Sequence, residues 1–242
     1  MKLYAIGLGP GDFSYLAPKA SEALRQSDVI VGYTEYVKSI PDLITGKQII
    51  STGMTGEVER CEAAVREALG GKKVCVVSSG DPGIYGMAAL LFELASMHSE
   101  LEVEVIPGIT AASAAAAILG SPLTNDFAVI SLSDLLTPWE VIEKRFEAAA
   151  MGDFVICLYN PQSKTRSDYL KRACDITLRH KPPETMCGYV KNALRGYDSE
   201  SRVCTLAQLR ETQVDMLTTV IIGNASTRVV NGRLVTIRGY GL

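Results

Sequence analysis

Along the first half of the chain, short apolar runs end in glycine turns, and each turn opens a stretch of helical period. Val74-Cys75-Val76-Val77-Ser78 reads as a buried strand, because β-branched valines favour that conformation. It breaks at Ser79-Gly80-Asp81-Pro82-Gly83, where glycine permits unusual backbone angles and Pro82 restricts Asp81 to extended geometry. Met87, Leu90, Leu91 and Leu94 then fall on one face of a helix. Lys2 to Gly7 is a strand of the same kind, running into Gly7-Leu8-Gly9-Pro10-Gly11-Asp12, with a helix over Ala17–Arg25 and a second strand at Val29–Gly32. Val58, Cys61, Ala64, Val65 and Leu69 define a helix over Thr55–Leu69 that Gly70-Gly71 ends. A strand at Val103–Ile106, the turn Pro107-Gly108-Ile109-Thr110 and an alanine-rich helix at Ala111–Leu119 complete the series. Three strand–turn–helix units sharing one sheet predict an α/β domain.

Around Gly120-Ser121-Pro122 the pattern resets, which places a domain boundary there: residues 1–120 form one α/β domain, residues 121–242 a second. The second half predicts strands at Phe127–Ser131, Phe154–Tyr159, Met186–Val190 and Thr218–Ile222, with helices over Trp139–Ala150 and Ser167–Leu178. Asp198 to Leu209 reads as antiparallel strand, and Asn231-Gly232 before Leu234–Ile237 as a hairpin turn, giving a mixed sheet.

With 242 residues, 47% hydrophobic and 21% charged, the chain has ample material for buried cores. A net charge of -3 supplies no electrostatic reason to expect nucleic acid as a partner. No apolar run approaches the roughly 18 residues of a membrane span, and the first residues form a strand, not a signal peptide. Six cysteines without a C-x-x-C pair fit reduced thiols in a cytoplasmic protein. The only histidines, His98 and His180, lie in polar surroundings, so neither a histidine-rich metal site nor a Ser-His-Asp triad is expected.

Glycine turns at strand ends put bare amides at the carboxyl edge of a sheet, where open α/β sheets bind ligands. The first turn fails the dinucleotide fingerprint: its spacing is G-x-G-x-G, a proline interrupts it, and no acidic residue closes the second strand. Nor does Gly-Lys-Ser/Thr follow, so it is not a P-loop.

Four segments in register, G-L-G-P-G-D, S-G-D-P-G-I-Y-G, P-G-I-T-A-A-S and T-V-I-I-G-N, resemble the tetrapyrrole methylases over nearly the whole chain. The resemblance implies two α/β domains, a homodimer, and S-adenosyl-L-methionine bound in the cleft between domains. I-S-L-S-D-L-L-T-P-W, F-V-I-C-L-Y-N-P-Q-S-K-T-R and the tail R-G-Y-G-L look like the branch that methylates carbon 17 of the corrin precursor in cobalamin biosynthesis and contracts the ring. Carried over position by position, the cofactor would meet Pro10, Ser79, Gly80, Asp81, Ile84, Thr110 and Ala111, with Tyr159, Asn160 and Ala193 from the second domain. An aspartate and a lysine proposed to help catalysis in some relatives match Tyr33 and Met54 here, so those roles are not carried over.

A sulfonium methyl is already electrophilic, so the enzyme's task is to align donor and acceptor and exclude water. Ring contraction also needs proton handling, for which Ser131, Ser133 and Asp134 are the candidates. The acceptor's acetate and propionate groups call for cations, and Lys164, Arg166, Lys191 and Arg195 are the expected ones. Any cobalt would arrive inside the macrocycle; the resemblance leans towards cobalt-factor III over metal-free precorrin-3B. Three alternatives stay open on sequence: a methylase of the same fold acting at another corrin position or on RNA or protein, a non-catalytic nucleotide-binding module, and a nicotinamide-dependent oxidoreductase.

Overall fold

A computed structural model describes residues 1–195 and 199–240. They form two compact units, Met1–Thr110 and Ala111–Leu242. The division falls one helix earlier than the expected boundary at residue 120. Ala112, Ala114, Ala115, Ala116 and Leu119 of that helix are buried against Val155, Cys157, Val190 and Ile221, so it belongs to the second unit's core.

In the first unit the strands are β1 (Lys2–Gly7), β2 (Val29–Tyr33), β3 (Gln48–Thr52), β4 (Val74–Ser78) and β5 (Glu102–Ile106). Its helices are α1 (Pro18–Gln26), two single turns α2 (Thr34–Val37) and α3 (Pro41–Ile44), α4 (Glu57–Leu69) and α5 (Ala88–Ala95). The sheet order is β3-β2-β4-β1-β5 and every pairing is parallel. β4 is central and buried throughout, which is why it reads as an unbroken apolar run. One face carries Leu3, Val31, Val76, Cys61 and Leu91 with α4 and α5. The other carries Ile6, Ile30, Cys75 and Val77 with α1. β3 is absent from the sequence reading; as an edge strand, Gln-Ile-Ile-Ser-Thr is half-exposed and too short to carry a period.

The second unit begins with α6 (Ala111–Leu119) and the short β6 (Gly120–Ser121). It continues through β7 (Phe127–Ser131), α7 (Trp139–Met151), β8 (Val155–Tyr159), α8 (Tyr169–Thr177), β9 (Met186–Lys191), β10 (Glu200–Thr205), α9 (Leu206–Arg210) and β11 (Thr218–Ile222). The mixed sheet has the order β10-β9-β11-β8-β7, in which only β7 and β8 pair in parallel. The last strands, β12 (Thr227–Val230) and β13 (Arg233–Thr236), form a hairpin, with β6 added alongside β13. Asn231 and Gly232 both have positive φ, at 50° and 75°, as a two-residue turn of this hand demands. The stretch read as strand up to Leu209 divides: β10 pairs as expected, but Thr205 caps α9 by a reciprocal bond pair with Gln208. Asp198, where that reading begins, and Gly241 and Leu242 of the tail lie outside the described residues.

All six cysteines are buried and unbridged. Desolvation pushes the thiols of Cys61 and Cys204 up to about 11 and those of Cys75, Cys157 and Cys174 up to about 12, and Cys187 rises as well. Among the described residues, no helix is long and apolar enough to cross a membrane, and no three metal-ligating side chains come together.

Candidate active site

Because the first sheet is wholly parallel, the turns after β1, β4 and β5 emerge at one edge. They are packed backbone to backbone. Gly9 and Gly80 exchange amide hydrogen bonds, at 3.1 and 2.7 Å, and Leu8 N donates to Ser78 O at 2.9 Å. A Cβ on Gly7 would lie 2.7 Å from Gly80 O, and one on Gly108 would lie 2.8 Å from the Gly7 carbonyl carbon. No side chain fits at either position, and Gly80 itself holds φ 67°. Asp81 fastens the third turn to the second. Its Oδ1 accepts from Gly83 N at 2.8 Å and its Oδ2 from Gly108 N at 3.1 Å.

Beyond Asp81 the chain is exposed from Gly83 to Gly86, with Ile84 38% and Tyr85 62% accessible and Tyr85 held at φ 53°. A positive φ at an aromatic residue is strain that a functional turn retains. Ser79, Gly80 and Thr110 are partly exposed along the same edge, whereas Pro10 is buried. The hydroxyl of Ser78 is buried without a partner. Close-packed glycine backbone, small polar side chains and one exposed apolar wall give this edge both polar and apolar groups for a small ligand. Nearby, buried Arg60 donates to Thr52 Oγ1 at 2.6 Å and to Gly53 O at 2.5 Å, fixing the turn after β3.

In the second unit, β8 and β9 both run antiparallel to β11, so they point the same way as β7. Ser131, Tyr159, Asn160, Lys191, Ala193 and Arg195 therefore share one edge. Asn160 and Asn192 each leave their strands with φ 50°, and Leu194 follows with φ 55°. Tyr159 Oη accepts from Ala112 N at 2.8 Å, capping α6 one residue past Ala111. Asn160 Nδ2 donates to Ser131 Oγ at 2.9 Å, and Ser133 N donates to the same oxygen at 3.2 Å.

Next to them, Arg166 Nη1 donates to Ser133 Oγ at 2.8 Å and lies 3.6 Å from Asp134 Oδ1. Tyr169 Oη donates to Asp134 Oδ2 at 2.5 Å. The Tyr169 hydrogen bond and the Arg166 charge hold the Asp134 carboxyl below the usual carboxylate range, and the same bond raises the Tyr169 phenol. A carboxylate so engaged is a weak proton acceptor near neutrality, which counts against Asp134 as a general base.

The expected cations lie in different surroundings. Arg166 is 8% exposed and engaged with Ser133 and Asp134, and Lys191 forms an ion pair with Asp215 at 2.9 Å. Lys164 and Arg195 are exposed. Sequence reasoning missed Gly7 and Gly108, whose role is visible only when the turns are brought together. It also missed Tyr169, which gives no signal beyond its position at a helix start, and Asp215.

Residues 2–210 match the family model described as "Tetrapyrrole (Corrin/Porphyrin) Methylases". The chain belongs to the tetrapyrrole methylases. Over 99% of its length it is 48% identical to a full-length Salmonella typhimurium relative named probable cobalt-factor III C(17)-methyltransferase. It is equally identical to the cobalt-factor III methyltransferase of Priestia megaterium, but spans only 45% of that longer protein. Among solved tetrapyrrole methylases, the methyltransferase CobJ matches with a TM-score of 0.90 and 37% identity, covering 97% of this chain and 99% of that one. A Thermus thermophilus uroporphyrin-III C-methyltransferase complexed with S-adenosylhomocysteine shares the fold at TM-score 0.69 and 19% identity, over 92% of each chain.

Proposed function

We propose that this tetrapyrrole methylase transfers a methyl group from S-adenosyl-L-methionine to carbon 17 of cobalt-factor III, with contraction of the macrocycle. The observation carrying the reading is the 48% identity to the Salmonella relative over the full length of both chains, supported by the likeness to CobJ. The cofactor, when bound, supplies an activated methyl on a sulfonium, so the protein's contribution is placement and exclusion of water.

The glycine turns offer a close-packed backbone surface without side chains, Ile84 an apolar wall, and Ser79 and Thr110 polar side chains along one sheet edge. Asp81 holds the second and third turns in register instead of reaching outward, because both its oxygens accept from backbone amides. In the second unit the resemblance assigns Ala111, Tyr159, Asn160 and Ala193 to the cofactor, and the bond from Ala112 N to its Oη fixes Tyr159 against α6. The loop Ser131–Asp134 is assigned to the acceptor, with Ser131 and Ser133 as its hydroxyls. Lys164, which is exposed, is the cation assigned to acceptor carboxylates, since Arg166 and Lys191 are engaged within the protein. The family resemblance further supports a cytoplasmic homodimer, which sedimentation of the purified protein checks.

The test is incubation with labelled S-adenosyl-L-methionine and either cobalt-factor III or precorrin-3B without oxygen, with products read by mass spectrometry and carbon NMR. Transfer to carbon 17 of the cobalt compound is expected. Turnover of the metal-free compound alone overturns the cobalt assignment, and labelling of neither overturns the reaction.

A further inference from the structure

The loop that follows β7 packs one side chain, Leu132, fully into the core, and beyond it is held by polar ties. Leu135 and Leu136, at its tip, are 77% and 97% exposed, so apolar packing does not fix the stretch after Leu132. The ties form a connected set. Asn160 Nδ2 and Ser133 N both donate to Ser131 Oγ, Arg166 Nη1 donates to Ser133 Oγ, and Tyr169 Oη donates to Asp134 Oδ2. Tyr169 is itself immobilised. Its ring lies 4.6 Å from that of Trp139, and the Arg172 guanidinium sits 3.9 Å over Trp139 and 5.2 Å over Tyr169. Trp139 begins α7 just past the loop and anchors its far side through a bond from Nε1 to Glu143 at 3.1 Å. The phenol is thus a rigid donor aimed at one carboxylate, and that carboxylate is the last tie before two solvated leucines.

We infer that Tyr169 is a positioning residue of the transfer reaction, acting through Asp134 to fix the Ser133–Asp134 end of the loop against the acceptor. The inference rests on the proposed function for its kinetic part, and it reassigns Asp134 from proton handling to anchoring. Its physical basis is that a short charge-assisted bond to a rigid donor gives a loop a defined place where hydrophobic packing does not. A displacement of about 1 Å at a reacting centre costs on the order of a hundredfold in rate.

Tyr169→Phe keeps the ring on Trp139 and removes only the donor. Expected are a fall in kcat of about tenfold or more at saturating acceptor, unchanged affinity for S-adenosylhomocysteine by calorimetry, and faster amide exchange across residues 131–138. In an Asp134→Asn background the same change should cost little further, since the tie is already weakened; simple packing loss would instead add in full. Wild-type kcat in Tyr169→Phe overturns the inference, as does an equal loss in both backgrounds. Amide exchange reads the loop without turnover. If the parent protein methylates neither substrate, the proposed function falls alone, and unchanged exchange in Tyr169→Phe still overturns the anchoring. Should Tyr169→Phe fold poorly, Asp134→Asn alone decides: exchange in the loop no faster than in the parent overturns it.

Discussion

At the scale of single residues, the glycines with the largest consequences are those whose missing Cβ lets two turns touch. Gly108→Ala puts a methyl group into the backbones of Gly7 and Gly80, where nothing flexible can yield. We expect a loss of about 1–3 kcal/mol or more in unfolding experiments, together with weaker binding of S-adenosylhomocysteine. Asp81→Ala acts differently: it leaves the Gly83 and Gly108 amides without their acceptor. It should lower stability by about 1–3 kcal/mol and weaken cofactor binding through slackened turns. Differential scanning calorimetry beside titration calorimetry separates the two effects, and a variant with full stability and full affinity would remove Asp81 from the site. The glycine and proline chemistry of these turns was legible in the sequence, as were the strand tips that carry them. What Asp81 touches was not: a turn carboxylate looks the same whether it faces a ligand or an amide 27 residues further along the chain.

Elements show the same division between local and distant information. Strand β4 declares itself as an unbroken apolar run because both its faces are buried, and helices α4 and α6 through period and composition. Edge strand β3 has no fully buried face, and Leu206–Arg210 turns helical through a cap that Thr205, the last residue of β10, makes with Gln208. The expected boundary at residue 120 followed the reset of the strand–turn–helix pattern, while the division at Thr110 follows packing of α6. Arg166 is the clearest case: a basic residue after an Asn-Pro turn reads as a surface cation, yet it lies under the loop Ser131–Asp134. The anchoring of that loop is pH-dependent with a definite sign. Asp134 titrates below its ordinary value in the folded protein, so its contribution is complete only above about pH 5, where an unfolded aspartate is almost fully ionised. As pH falls through the folded value, that contribution is lost. Urea midpoints measured from pH 6 to pH 3 should fall less steeply in Asp134→Asn than in the parent. Asp12, Glu67, Glu104 and Asp215 also titrate low and keep a residual slope in both proteins.

For the whole molecule, binding and stability are coupled by mass action. S-adenosylhomocysteine at 100 times its dissociation constant should add about 2.7 kcal/mol to unfolding, seen as a concentration-dependent rise in the midpoint of thermal unfolding. No rise and no heat of binding at millimolar ligand would remove the methyl donor from this protein. Against an overall charge of -3, attraction of a polycarboxylate acceptor must come from local cations. Lys164→Ala should therefore raise the acceptor's KM and leave cofactor affinity unchanged, with the difference from the parent shrinking as salt screens the parent's advantage.

The six sequestered thiols also make the chain its own reporter of transient opening. A thiol whose pKa stands near 11 or 12 has almost no thiolate at neutral pH, and burial denies an alkylating reagent access to it as well. Each cysteine therefore reacts only when its surroundings come apart, at a rate set by how often they do. Cys61 and Cys75 sit in the first unit, and Cys157, Cys174, Cys187 and Cys204 in the second. Peptide-resolved alkylation would time the breathing of each unit separately without an introduced label, and the methyl donor's product would slow the clock wherever it grips.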